Sequence, residues 1–355
     1  MARRKTEHQS ASGQRIAGYC ALCWSSCGCI SAVEDGRLVA VEPDPGHPTG
    51  KALCAKGRAA PELVHDDGRL LHPVKRTRPK GDPDPGWQPI SWDEALDTTA
   101  AALQRLARES GPESVAFGIT TTTAGTAMQD GYPWVERLRH AFGSPNVVAS
   151  VEVCDYHRST IHVHTFGTAM PMTDLAHTGC VLLWGHNTSM TWLAHATRVA
   201  EARARGAKLV VVDPRRVGLA AKADQWLRVR PGSDGALALG IAGVMIEEGW
   251  FDGDFIRQWT NGPLLVRDDT GRFLTAADLG DDGGGSQYVA WDEARGSPVR
   301  YDPVAGAYEQ PCAGHALAGR YDVGGISCRP AFDLYAALCR RYSPERVEQI
   351  CWVPA

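Results

Sequence analysis

Three thiols fall within eight residues, Cys20-Ala-Leu-Cys23-Trp-Ser-Ser-Cys27, and a fourth follows after twenty-six intervening residues in Cys54-Ala-Lys56-Gly57. Four thiolates are the ligand set of a [4Fe–4S] cluster, and they are also the ligand set of a structural zinc ion. Zinc ribbons usually supply two Cys-x2-Cys knuckles, whereas here a triplet is followed by a lone thiol. The spacing favours iron–sulfur and leaves a four-cysteine zinc site open, with a disulfide pattern behind both. Cys29, a fifth thiol nearby, reads as a strand residue rather than a ligand.

The chain between the third and fourth thiols must turn back on itself. Cys29-Ile-Ser-Ala-Val-Glu34 and Arg37-Leu-Val-Ala-Val-Glu42 are two short apolar and β-branched runs joined through Asp35-Gly36, a strong hairpin signal. Pro43 to Gly50 then leads toward Cys54. Residues 70–88 are rich in Pro, Gly and basic side chains and read as an extended connector. Ser91-Trp-Asp-Glu94 reads as a capping box that starts a helix from Asp93 to about Glu109.

Strands and helices then alternate, which predicts parallel α/β organisation. Strands are expected at 114–119, 146–149, 180–184 and 208–212. Helices are expected at 127–142, 190–205 and 234–248, the last capped by Ser233. Ligands of open α/β sheets bind beyond the carboxyl ends of strands. Those ends are Gly185-His186-Asn187 and Asp213-Pro214-Arg215-Arg216, with Pro231-Gly232-Ser233-Asp234-Gly235 opening the next helix. Tight backbone beside a donor or a carboxylate suits a nucleotide or pyrophosphate, but the same residues make ordinary turns and caps. There is no Gly-x-Gly-x-x-Gly, so the NAD fingerprint is missing. Residues 262–327, dense in Gly and Asp, read as a long irregular insertion with some hairpin content, followed by a helix at 331–342 and the start of another.

The 355 residues suffice for two or three domains. With 37 basic and 41 acidic residues the net charge is −4, which gives no sign of a nucleic-acid or membrane-surface partner. Eleven cysteines, most of them scattered, favour a reducing compartment and a cytoplasmic location. The two adjacent arginines near the start lack the apolar stretch of an export signal. No run approaches the length of a membrane span.

Taken together, the motifs resemble the molybdopterin oxidoreductases of the dimethyl sulfoxide reductase family. The resemblance is carried by the cysteine motif with Cys54-x-Lys56-Gly57, Trp87-Gln-Pro-Ile-Ser-Trp-Asp-Glu-Ala-Leu96, Leu183-Trp-Gly-His-Asn187, Val212-Asp-Pro-Arg215, Ala223-Asp224 and Arg230-Pro-Gly-Ser-Asp-Gly-Ala-Leu237. It implies a bis-(molybdopterin guanine dinucleotide) cofactor holding Mo or W, with a proximal [4Fe–4S] cluster on Cys20, Cys23, Cys27 and Cys54. The pterin contacts it implies are Trp184, Gly185, Asn187, Asp213, Arg215, Gly232 and Asp234. Asp213 or Asp234 would suit the donor edge of a guanine, and Lys56 would lie between cluster and pterin. The family's metal ligand maps to Cys154, a soft thiolate suited to Mo or W. Beside it, His157 would carry protons and Arg158 would hold an anionic substrate or a pterin phosphate.

The fold class expected is α/β: a small β-rich iron–sulfur domain followed by Rossmann-like parallel α/β domains. The expected division is a disordered start at 1–14, the [4Fe–4S] domain at 15–80, a first α/β part at 81–175 and a pterin-dinucleotide-binding domain at 176–345. Family members are usually longer and end in a β-barrel-like domain, so the chain is expected to be an N-terminal portion lacking it. The expected activity is two-electron redox or oxygen-atom transfer on a small substrate, with room for an electron-transfer subunit as partner. Two alternatives stand: a non-redox hydratase on the same scaffold, and a catalytically silent iron–sulfur fragment.

Overall fold

A computed structural model describes residues 13–23, 25–119, 131–149, 160–168, 170, 173–281 and 286–355. The chain divides into two compact units, residues 1–210 with 217–224, and residues 211–216 with 225–355.

The first unit opens with an antiparallel sheet of β1 (Gln14–Tyr19), β2 (Gly28–Glu34) and β3 (Arg37–Pro43), in that order. The β2–β3 hairpin turns at Asp35 and Gly36, whose φ values are 48° and 75°, as the Asp-Gly dipeptide predicts. β1 is an addition to the sequence reading. It is an edge strand with all six residues exposed, and it delivers the chain directly to Cys20. Short helices α1 (Ala55–Arg58) and α2 (Ala60–Val64) follow Cys54. Cys27, Cys29, Val41 and Leu53 form the small core of this module, together with Ala194 from a later helix.

The connector is more ordered than its composition suggests. β4 (Val74–Arg76) and β5 (Trp87–Pro89) pair antiparallel within it. Helix α3 (Trp92–Ser110) has Ser91 at its N-cap, the hydroxyl accepting from the Glu94 N–H at 3.1 Å. The reciprocal half of the box is replaced by a salt bridge, because the Glu94 carboxylate engages Lys75 at 3.2 Å. β6 (Phe117–Ile119) and β7 (Val147–Ala149) pair in parallel, with α4 (Gly131–Phe142) between them in the chain. After α5 (Ile161–Phe166) come β8 (Cys180–Trp184), α6 (Thr188–Thr191), α7 (Leu193–Ala204) and β9 (Lys208–Val212), with β8 hydrogen-bonded to β9. The single helix expected at 190–205 is therefore two, broken at Trp192, whose φ and ψ of −153° and 77° leave the helical region.

In the second unit β10 (Gln225–Leu227) precedes α8 (Asp234–Glu247) and α9 (Gly253–Trp259). Ser233 stands at the N-cap of α8 without capping it, since its hydroxyl donates backward to the Arg230 carbonyl at 2.6 Å. The stretch read as irregular is two antiparallel sheets. β11 (Leu265–Arg267) pairs with β16 (Ile326–Pro330), which pairs with β15 (Tyr321–Val323). β12 (Tyr288–Asp292), β13 (Ser297–Asp302) and β14 (Ala307–Tyr308) form the other. Gly296, Gly306, Gly324 and Gly325 sit in the hairpin turns, and Asp302 Oδ1 accepts from the Val304 and Ala305 N–H groups, while residues 282–285 of the Gly- and Asp-rich run lie outside the described residues. Leu265, Leu274, Val289, Val323 and Cys328 form one core of this region, and Leu264, Ala290 and Val299 form another. Helices α10 (Ala331–Cys339) and α11 (Pro344–Cys351) end the chain.

Candidate iron–sulfur and pterin site

The loop that carries the first three thiols is closed by its own backbone. The Cys20 N–H donates to the Cys27 carbonyl at 2.8 Å, and Ser26 adopts a φ of 42°, a left-handed conformation costly for a residue with a side chain. Thr49 holds that turn in place. Its hydroxyl donates to the Ser26 carbonyl at 2.7 Å and accepts from the Gly28 N–H at 3.2 Å, while its N–H donates to His47 Nδ1 at 3.2 Å. Position 28 favours glycine, since a Cβ there would overlap the His47 side chain unless something shifts. From the other side, the Ser25 hydroxyl donates to the Thr191 carbonyl at 2.9 Å.

The sequence places four thiols on two distant segments, and the fold brings them to one chamber. Cys20, Cys23, Cys27, Cys54 and Lys56 line a cavity of about 530 Å³, closed on another side by Ser189, Met190, Thr191 and Leu193. Cys23 is exposed, Cys20 and Cys54 are half-buried and Cys27 is buried. The donors line the wall of a space far larger than one ion. Among the described residues, no three metal-binding side chains close on a single point.

Burial pushes the Cys27 thiol up to about 11, and the neighbouring Cys23, Cys20, Cys54 and Cys29 add to the shift. Four thiolates crowded together repel one another, and only a cationic group between them makes that arrangement favourable. The donor set thus fits an iron–sulfur cluster in both chemistry and room. Cys29 lies in β2, buried, its thiol raised by burial first and then by Cys20 and Asp44.

In the first unit Trp184 ends β8 and Gly185 and Asn187 follow it, with Gly185 at a φ of 59°. The Asn187 carbonyl accepts from the N–H groups of Met190 and Thr191 and so starts α6. Its Oδ1 is buried without a partner, as are Thr188 Oγ1, Trp192 Nε1 and His195 Nδ1. Buried polar atoms are normally satisfied, so the three orphans at Asn187, Thr188 and Trp192 mark a segment built to meet something further. This is an observation in favour of a polar cofactor group at the end of β8.

His195 is 9% exposed, and burial, followed by His186 and Arg198, lowers its pKa to about 4. Nothing in the sequence singled it out, because a lone His inside an Ala-rich helix carries no spacing signal.

In the second unit, Asp213 Oδ1 accepts from the Arg215 N–H at 2.7 Å, and the Asp213 carbonyl accepts from Trp226 Nε1 at 2.8 Å. Gly232 has a φ of 83° and Asp234 is the first residue of α8. The motif residue Asp224, back in the first unit, has a structural task. Its carboxylate accepts from the Leu209 N–H at 2.7 Å, and that hydrogen bond, with help from Arg203, lowers its pKa. Cys154, His157 and Arg158 lie outside the described residues.

Residues 14–66 match the molybdopterin oxidoreductase Fe4S4 domain and residues 69–281 match the molybdopterin oxidoreductase domain. The chain belongs to the molybdopterin oxidoreductases, a family of enzymes, and its cofactors are accordingly a molybdopterin and a [4Fe–4S] cluster.

Among individual proteins, it is 33% identical to the thiosulfate reductase molybdopterin-containing subunit of Salmonella typhimurium, over 68% of this chain and 31% of that one. It is 32% identical to acetylene hydratase of Syntrophotalea acetylenica, over 68% and 33%. The solved structure of acetylene hydratase from Pelobacter acetylenicus superposes with a TM-score of 0.66 at 24% identity, over 95% of this chain and 37% of that one, which shows a common fold. These matches span about a third of the relatives' own length. No helix among the described residues is long and apolar enough to cross a membrane.

Proposed function

We propose that the chain is part of a Mo- or W-dependent oxidoreductase acting on a small substrate through a bis-(molybdopterin guanine dinucleotide) cofactor. The observation that carries this reading is the chamber in which Cys20, Cys23, Cys27 and Cys54 meet beside Lys56. The cofactors supply the two-electron chemistry at the metal and one-electron storage at the cluster. The chain's own residues ligate, orient and tune. The four cysteines hold iron, and Lys56 places a cation at the chamber wall, where it favours the more negative, reduced state.

Trp184, Gly185, Asn187, Asp213, Arg215, Gly232 and Asp234 are the residues assigned to the pterin dinucleotides. Their backbone N–H groups and carboxylates suit phosphate and guanine. Cys154 is assigned as the protein ligand of Mo or W, His157 as a proton carrier and Arg158 as an anion-holding group. A small molecule is the substrate, and a separate electron-transfer subunit is the partner through which electrons leave or enter. The divisions proposed are an iron–sulfur domain at 15–80 and α/β parts at 81–175 and 176–345.

The test is anaerobic reconstitution followed by iron, sulfide, Mo and W analysis and electron paramagnetic resonance of the reduced protein. Four irons per chain with a reduced-cluster signal support the reading; zinc without iron removes it. The relative named acetylene hydratase supports a second reading, hydration with no net electron transfer. Turnover with no electron acceptor present separates the two.

A further inference from the structure

Behind the thiol chamber stand three rings in contact. Trp192 packs against the core formed by Cys27, Cys29, Leu53 and Ala194. It stacks on His195 with ring centroids 4.9 Å apart and planes 30° apart. His195 in turn meets His186 edge-on at 5.5 Å, and His186 belongs to the loop that follows β8. The His195 imidazole therefore links the core behind the iron site to the loop assigned to the pterin, mostly buried but with 9% of the residue still exposed.

Two features make this ring a base in waiting. Its Nδ1 is buried and has no hydrogen-bond partner; in the tautomer with hydrogen on Nε2, that nitrogen offers a vacant lone pair. The titratable and charged groups acting on it are His186, from the loop, and Arg198, one turn further along its own helix. Both oppose a positive charge, so the imidazole stays neutral while nothing negative is added nearby. An electron placed in the four-thiol chamber adds such a charge, across a buried core that screens it less than solvent would.

We propose that His195 is a redox-linked proton acceptor: when the four-thiol site gains one electron, this imidazole takes one proton from solvent, and it thereby sets the pH dependence of that site's potential. The proposal rests on the iron–sulfur reading above. One electron, supplied in turnover by the two-electron metal centre and in the experiment by dithionite, is matched by one proton, and no bond besides N–H forms. His195 acts through the cluster and is a positioning residue for charge. Trp192 sets its distance from the chamber, and His186 sets its readiness to protonate.

The test is a redox titration of the anaerobically reconstituted full chain with dithionite, followed by electron paramagnetic resonance at several values between pH 5 and 8. Each pH unit changes the proton concentration tenfold, so the coupled range shows a fall of about 59 mV per unit for one electron and one proton. His195→Gln keeps a polar side chain without the base, and its potential is expected to be flat with pH. His186→Gln removes one opposing group without touching the acceptor and is expected to move the sloping range to higher pH. A flat potential in the parent protein, or an unchanged slope in His195→Gln, overturns the proposal. The iron–sulfur reading fails separately, by absence of iron and of any reduced-cluster signal.

Discussion

Replacement of Gly28 by alanine tests whether the Thr49–His47 brace shapes the cluster loop. The new Cβ would enter the space of His47 Cβ and Cγ, and also lie 2.5 Å from Nδ1. Gly28 itself has little room to retreat, since its N–H is held by Thr49 at 3.2 Å and its carbonyl accepts from the Asp44 N–H at 3.1 Å. Because the overlap includes His47 Cβ, turning the ring does not relieve it and the His47 backbone must shift, which loosens the Thr49 contacts to Ser26 and Gly28.

Overpacking costs about 1–3 kcal/mol, and each hydrogen bond lost adds about 1 kcal/mol. The sum is roughly 2–5 kcal/mol, or a Tm lower by roughly 5–15 °C for a unit of this size. The assay is a thermal melt together with the rate of iron loss to a chelator, in the parent and in Gly28→Ala, each also carrying His47→Gly. With His47 cut back to glycine the clash is gone, so the alanine should cost at least about 1 kcal/mol less in that background. An alanine variant within about 0.5 kcal/mol of the parent, or an equal cost in both backgrounds, refutes the reasoning.

Serine at any one of Cys20, Cys23, Cys27 or Cys54 is expected to lower bound iron and abolish the parent's reduced-cluster signal, whereas Cys29→Ser keeps both; iron analysis and spectroscopy of the five variants decide it. Leu53→Ala removes a side chain that is 2% exposed within the thiol module. It should destabilise that module by about 2–5 kcal/mol and speed iron release, read by denaturant melts. His315 is fully buried with both ring nitrogens unpartnered, and burial holds its pKa below the ordinary 6.5, aided by Arg257 and Arg295 and opposed by Asp292. The unfolded chain therefore binds more protons below pH 6.5, and the stability linked to this group, complete above that value, is lost as pH falls toward the lower folded value. His315→Phe should flatten that acid-side loss, measured as unfolding free energy against pH.

Several parts of the fold were legible because the signal is local. Asp35-Gly36 dictates the hairpin turn, Ser91 caps α3, and the apolar run Cys180–Trp184 is strand β8 over its full length. The misreadings share a cause as well. The Gly- and Asp-rich stretch at 262–327 resembles a loop by composition, yet its turns separate short strands whose residues pack into two cores, one around Leu265 and Val289 and one around Leu264, Ala290 and Val299. Ser233 has the right type and place for a cap, but its hydroxyl finds the nearer Arg230 carbonyl. Trp192 breaks the expected long helix, and the energetic return is contact with the thiol module and with His195.

Residue type and order alone determined that four thiolates were available, that a hairpin lay between the third and fourth, and that strand ends carrying Asn187 and Asp213 and a helix start at Asp234 would follow. These are statements about what each side chain can donate and how the local backbone turns, and both travel with the sequence. Only the tertiary structure decided that the thiols line one chamber with Lys56, that Thr49 and His47 brace its rim, and that Trp192 and His195 pack behind it. Burial and long-range contact make those groups what they are, and neither quantity exists until distant segments have come together.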